Sequence, residues 1–210
     1  MEPRGRGGSP VRAERELSAA GTVQVNSAIP EGYAAKECSL MRSRALWAVL
    51  LMTSPLLVRA APKAAAAIVD AQGKPIGSAT LVPAHGGVEI DVRVEGLSPG
   101  KHGIHIHTVG KCDPPDFKSA AGHFNPFGKM HGLHNPAGAH AGDLPNLSVK
   151  ANGKGSGKFL AKGVTLGDGQ GSLFGPEGTA IVIHADPDDE KTDPAGNSGA
   201  RIACGVIEKR

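Results

Sequence analysis

Seven of the nine histidines in this chain of 210 residues fall between His102 and Asp143. They read H-G-I-H-I-H, then H-F-N-P, then H-G-L-H-N-P-A-G-A-H-A-G-D. Imidazole nitrogen suits zinc and copper, and a carboxylate can close such a set. Rings packed this densely, with Asp143 at the end of the run, point to a metal centre. The bland alternative is a histidine-rich surface loop with incidental metal affinity. Committed spacings, rather than a bare histidine tract, weigh against it.

The elements that carry these residues follow from periodicity. His105 and His107 are two apart, so on a strand they share a face. His102, Ile104 and Ile106 share the other. The isoleucines mark the core side, so His102 is expected inside as a hydrogen-bonded structural residue. His105 and His107 then face whatever the following loop folds over. Val88, Ile90, Val92 and Val94 alternate strictly with charged residues, which predicts a half-buried strand over 88–95. Further strands are predicted over 66–71, 76–83, 101–107, 147–150, 158–164, 179–184 and 201–207. Turns such as Gln72-Gly73-Lys74 and His85-Gly86-Gly87 separate them. Thr108 to Pro145, about 38 residues, shows neither period, and a loop that long is usually functional or disordered. Eight short strands with no convincing helix and no internal repeat predict an all-β, immunoglobulin-like sandwich or flattened barrel.

Composition agrees. Gly 30, Pro 16 and 3% aromatics suit short strands joined by turns, with a core of Val, Ile, Leu and Ala. The formal charge is +3, but residues 61–210 carry fifteen Lys/Arg and fifteen Asp/Glu. With no basic surplus there, a nucleic-acid partner is not expected.

The start of the chain has a different logic. Met41-Arg42-Ser43-Arg44 is a short basic opening, Ala45 to Val58 is apolar, and Val58-Arg59-Ala60 offers small residues to a signal peptidase. This is the layout of a secretory signal over 41–60, too short for a membrane span. Residues 1–40 then read as a disordered leader or an over-extended reading frame, and 61–210 as the mature domain. The expectation is export, to the periplasm or beyond, with no stable membrane insertion after cleavage. Cys112 and Cys204 are the cysteines that survive such cleavage; they read as one disulfide, the alternative being two buried free thiols.

The motifs G-I-H-I-H, A-G-H-F-N-P, H-A-G-D-L-P-N, I-V-I-H and G-N-S-G-A-R-I-A-C-G-V-I, in this order across residues 66–207, resemble copper/zinc superoxide dismutase. The resemblance implies an eight-stranded Greek-key barrel with long zinc-binding and electrostatic loops. It implies copper ligands His105, His107, His123 and His184, and zinc ligands His123, His131, His140 and Asp143, with His123 as a shared imidazolate. Asp188 matches an aspartate linking ligands of the two sites. Arg201 matches the arginine that draws the superoxide anion to the copper, and Cys112–Cys204 matches the intrasubunit disulfide. Cys112 stands five residues after His107, as in the bacterial periplasmic branch. The implied reaction turns superoxide into oxygen and hydrogen peroxide by alternating reduction and reoxidation of copper, with His123 and Arg201 catalytic. His134 matches no ligand position, and His85 reads as a solvated turn residue.

Other classes compete less well. A zinc hydrolase keeps an open water position on its metal, which the carboxylate closes here. A non-catalytic periplasmic copper-binding or copper-delivery domain on the same fold is the main alternative, but the ligand set is complete and no C-x-x-C is present. The resemblance implies either a monomer or a homodimer, and the sequence shows no exposed apolar stripe that selects between them.

Overall fold

The computed structural model describes residues 63–210. The leader and signal-peptide expectations fall on residues 1–60, outside the described residues.

Ten strands are described: β1 Ala64–Asp70, β2 Pro75–Ala84, β3 Gly87–Glu95, β4 Gly100–His102, β5 Ile104–His107, β6 Leu147–Val149, β7 Lys154–Lys162, β8 Ala180–His184, β9 Arg201–Val206 and β10 Glu208–Lys209. In β3 the valines and Ile90 are buried, while Arg93 and Glu95 are exposed, as the alternation requires. Short turns set the registers. Between β1 and β2, Asp70 Oδ1 accepts the N–H groups of Gln72 and Lys74 at 3.0 and 2.9 Å, an Asx-type turn.

All pairings are antiparallel, and the sheet runs β4-β6-β7-β3-β2-β1-β9-β8-β5, with β10 beside β1. The chain passes from β3 to β4 across the places later filled by β7 and β6, and from β7 to β8 beyond β9. That is a Greek-key course. The two ends of the path, β4 and β5, are neighbours in the chain, with only Gly103 between them. The sheet is therefore a near-closed barrel. Its interior holds Ile68, Leu81, Val88, Ile90, Ile104, Ile106, Leu147, Ile181 and Ile183, all buried.

The expected eight strands become ten for local reasons. The stretch 101–107 is not one strand. Gly103 breaks it, donating its N–H to the Asp186 carbonyl at 2.9 Å and accepting from His184 N–H at 2.8 Å. A side chain there would press on Ser198 Cβ and the His105 ring. The final strand, β10, is two residues long and carries no periodic signal. The loop over 108–145 also contains one 3-10 turn, Lys118–Ala120, which the sequence does not announce.

Candidate metal centre

β5 is the last strand of the sheet path, paired to β8 on one side. Two arms of the long loop occupy its other side. Phe124 N–H donates to the Ile106 carbonyl at 2.8 Å, and Ile106 N–H to the Gly142 carbonyl at 2.9 Å. The arms also bond each other, Gly142 N–H to the Phe124 carbonyl at 2.9 Å. This brings His123 opposite His107, and Asp143 opposite His105. Paired along both edges, β5 also has all four of its residues buried. His102 sits on β4, its ring nitrogens 2.8 Å from the carbonyls of Ser98 and His184.

His105, His107, His123 and His184 each offer a nitrogen within 4.8 Å of the others. Those nitrogens are His105 Nδ1 and the Nε2 atoms of the other three. They are also the buried side-chain polar atoms that lack any hydrogen-bond partner among the described residues. Buried polar atoms are nearly always paired, so four orphans converging on one point call for a ligand. The opposite ring nitrogens are all used. His107 Nδ1–H donates to the Ala121 carbonyl at 2.8 Å, and His184 Nδ1 lies 3.3 Å from the Gly199 carbonyl. His105 Nε2–H donates to Asp188 Oδ2 at 2.7 Å. These contacts leave the inward nitrogens as lone pairs, and four nitrogen donors suit Cu(II).

The second group is His123, His131, His140 and Asp143, again within 4.8 Å. Asp143 Oδ1 lies 3.0 Å from Nδ1 of His123, 3.0 Å from Nδ1 of His131 and 3.3 Å from Nδ1 of His140. Asp143 Oδ2 is taken by the N–H groups of Gly132 and His140 at 2.9 and 3.0 Å. Three imidazole nitrogens and one carboxylate oxygen thus converge, and four such donors suit tetrahedral zinc. The His123 ring stands between the groups, Nδ1 toward one and Nε2 toward the other.

Asp188 joins the two. Beyond its bond with His105, its Oδ1 accepts from His131 Nε2 at 3.1 Å and from Glu190 N–H at 2.6 Å. Its acidic neighbours Asp186 and Asp189 are exposed, whereas Asp188 is buried. Arg201, the cross-strand partner of His184, donates Nη1–H to the Phe117 carbonyl at 2.8 Å and Nη2–H to that of Ala121 at 2.6 Å. Ala121 therefore serves both Arg201 and His107. Phe117 and Ala121 carry positive φ, 51° and 59°, and flank the 3-10 turn. Cys112 and Cys204 are joined by a disulfide.

Electrostatics follow burial. Desolvation, helped by the nearby His123, pushes His107 down to about 2, and desolvation with His105 pushes His184 down to about 3. Burial takes His123 down to about 4 against its bond to Asp143. His131 behaves oppositely: although burial opposes it, the Asp143 and Asp188 carboxylates raise it to about 9. Asp143 and Asp188 lie well below the carboxylate range; burial opposes this, but their imidazole partners prevail.

Neither His85 nor His134 enters a donor group. His134 is largely exposed, its Nδ1 3.0 Å from Glu190 Oε2. Some residues that shape the site have no sequence signal as such. Asn146 clamps the Asp188 backbone, accepting its N–H at 2.7 Å and donating to its carbonyl at 2.9 Å. Asp193 accepts His131 N–H at 2.6 Å. Asn146 ends the H-A-G-D-L-P-N motif, which could have marked it. Asp193 looks like any other exposed acid.

Comparison with known proteins gives a consistent picture. The family profile described as copper/zinc superoxide dismutase (SODC) matches residues 76–207. "Superoxide dismutase [Cu-Zn] 1" of Aquifex aeolicus is 53% identical over 148 residues, 70% of this chain and 88% of that protein. "Superoxide dismutase [Cu-Zn]" of Caulobacter vibrioides is 43% identical over 148 residues, 69% of this chain and 85% of its own. Among solved structures, a SOD-like protein from Bacillus subtilis has 41% identity and a TM-score of 0.66, covering 68% of this chain and 96% of that one.

Proposed function

Because this chain belongs to the copper/zinc superoxide dismutase family of oxidoreductases, whose metals are copper and zinc, we propose the following division of labour among its residues. His105, His107, His123 and His184 hold copper, and His123, His131, His140 and Asp143 hold zinc. The four unpaired buried nitrogens carry this reading. When bound, copper supplies one-electron chemistry, so that one superoxide is oxidised to oxygen and a second, with two protons, is reduced to hydrogen peroxide, while zinc supplies order without redox chemistry.

The chain's own residues do the rest. The Arg201 guanidinium stays charged at any physiological pH and binds the anion. Its grip on two loop carbonyls fixes where that charge sits. His123 is suited to hold and pass a proton at Nε2, since its Nδ1 is engaged by the zinc group. Asp188 and the Ala121 carbonyl orient His105, His131 and His107 by taking the far ring N–H, the usual support of a metal-bound imidazole. A copper-delivery domain would need the copper set but not an arginine anchored beside it, so catalysis is the reading favoured.

The test is superoxide consumption by the purified protein loaded with both metals. Catalysis well above that of the same amount of free copper is expected; activity no greater than free copper would sink the proposal. Export with cleavage before Ala61 is also proposed. The Cys112–Cys204 disulfide supports it, because such bonds persist in oxidising compartments.

A further inference from the structure

Asp188 lies between His105 and His131 in a space bounded on one side by a residue with no side chain. Gly196 is buried there, with φ of +59°. A Cβ at this position would overlap Asp188 Oδ1 and come within 2.8 Å of His131 Nε2. Gly73 and Gly86 also have positive φ, yet a Cβ on either would meet nothing. They are turn residues; Gly196 is spaced against a carboxylate.

Neither side can give way cheaply. Both Asp188 oxygens are engaged, and Asn146 clamps its main chain. Gly196 donates its N–H to the Thr192 carbonyl at 2.6 Å, and its carbonyl accepts Asp189 N–H at 2.9 Å. The turn that carries Gly196 is therefore tied to the backbone next to Asp188.

We infer that Gly196 is a positioning residue of the two-metal site: the gap it leaves seats the Asp188 carboxylate between one imidazole of the copper set and one of the zinc set. This rests on the ligand assignment proposed above. A methyl at 196 forces the carboxylate to rotate, or forces the 192–197 turn to lift and, through the Gly196–Asp189 bond, to pull on the backbone beside Asp188. A displaced carboxylate deprives His105 and His131 of the acceptor of their outer N–H. Loss of such an outer partner typically lowers metal affinity about 10–100-fold.

The experiment compares the parent protein with Gly196→Ala, Asp188→Ala and the double variant. Zinc affinity is read by chelator competition, and the copper environment by visible absorption of the copper-loaded protein. Gly196→Ala and Asp188→Ala are both expected to weaken zinc about 10–100-fold and to shift the copper band. The double variant should match Asp188→Ala alone, because the carboxylate is then already gone. If Gly196→Ala yields no folded protein, the double should still fold, since the overlap with the Asp188 carboxylate is then gone and only the 2.8 Å approach to His131 Nε2 is left for that ring to absorb. Parent-like zinc affinity and copper band in Gly196→Ala would overturn the inference. So would effects that multiply in the double, or a double that also fails to fold, which would make the left-handed backbone the real demand. A parent protein that takes up no zinc would instead sink the ligand assignment.

Discussion

Imidazole in an unfolded chain titrates near about 6.5, and the folded, metal-free protein departs from that value in both directions. His107, His184 and His123 are held below it, so beneath pH 6.5 the unfolded state takes up protons that the folded state refuses. Stability of the metal-free form must fall as the pH drops from about 6.5 toward 4. His131 is held above it, so its contribution is complete below about 6.5 and is lost as pH rises toward 9. The expected melting temperature of the metal-free protein is highest near pH 6.5 and lower at both pH 5 and pH 8.5, as calorimetry would show. Arg201 makes the second prediction at this scale. Its guanidinium hydrogen-bonds to the carbonyls of Phe117 and Ala121 rather than to a member of either donor group. Arg201→Ala should slow the loaded enzyme by about tenfold or more at low salt and flatten its ionic-strength dependence, through loss of electrostatic attraction. Copper content should not change; loss of copper would make the arginine structural.

Among the elements, the segment from Cys112 to Ala121 is held at its start by the Cys112–Cys204 bond and further on by the Arg201 guanidinium, the His107 ring and the Val109 N–H. The cysteines are 92 residues apart in sequence. Removing the link with Cys112→Ser and Cys204→Ser should cost about 4–5 kcal/mol by loop-closure entropy. The drop would be read as a lower denaturant midpoint for the oxidised parent's replacement. Activity should fall with it, because the carbonyls that aim Arg201 lie in the released segment. How far such elements could be read from sequence depends on which atoms do the work. The valines of β3 and the H-I-H of β5 announce themselves by parity, since a period of two is a property of side chains. The split at Gly103 does not, because it arises from main-chain bonds to residues 184 and 186. The same holds for the carbonyl of Ala121: every residue has one, and only the fold selects it. Asp188 stood in a run of acids; only the family resemblance singled it out in the sequence, and the fold separates it from Asp186 and Asp189 by burial and by its two imidazole partners.

For the whole molecule, the export proposal makes its own demand. N-terminal sequencing of the protein recovered from its host should begin at Ala61, and a chain still carrying residues 1–58 would contradict it. Nearly closing the barrel has a further consequence. β4 and β5 are the two ends of the sheet path, and the outer side of β5 is paired only by the loop arms around Phe124 and Gly142. Those arms carry His123 and Asp143, so on the ligand assignment proposed above the same short segments hold both the metals and the strand's last neighbours. On the same assignment, stripping the metals should loosen the arms and bare main-chain donors and acceptors on β5, the kind of surface that recruits a strand from another molecule. Metal-free protein should therefore form intermolecular β-structure on standing, visible as rising light scattering and thioflavin fluorescence, while the zinc-loaded form stays clear. On this prediction, occupancy of the metal centre would double as protection against self-templated aggregation.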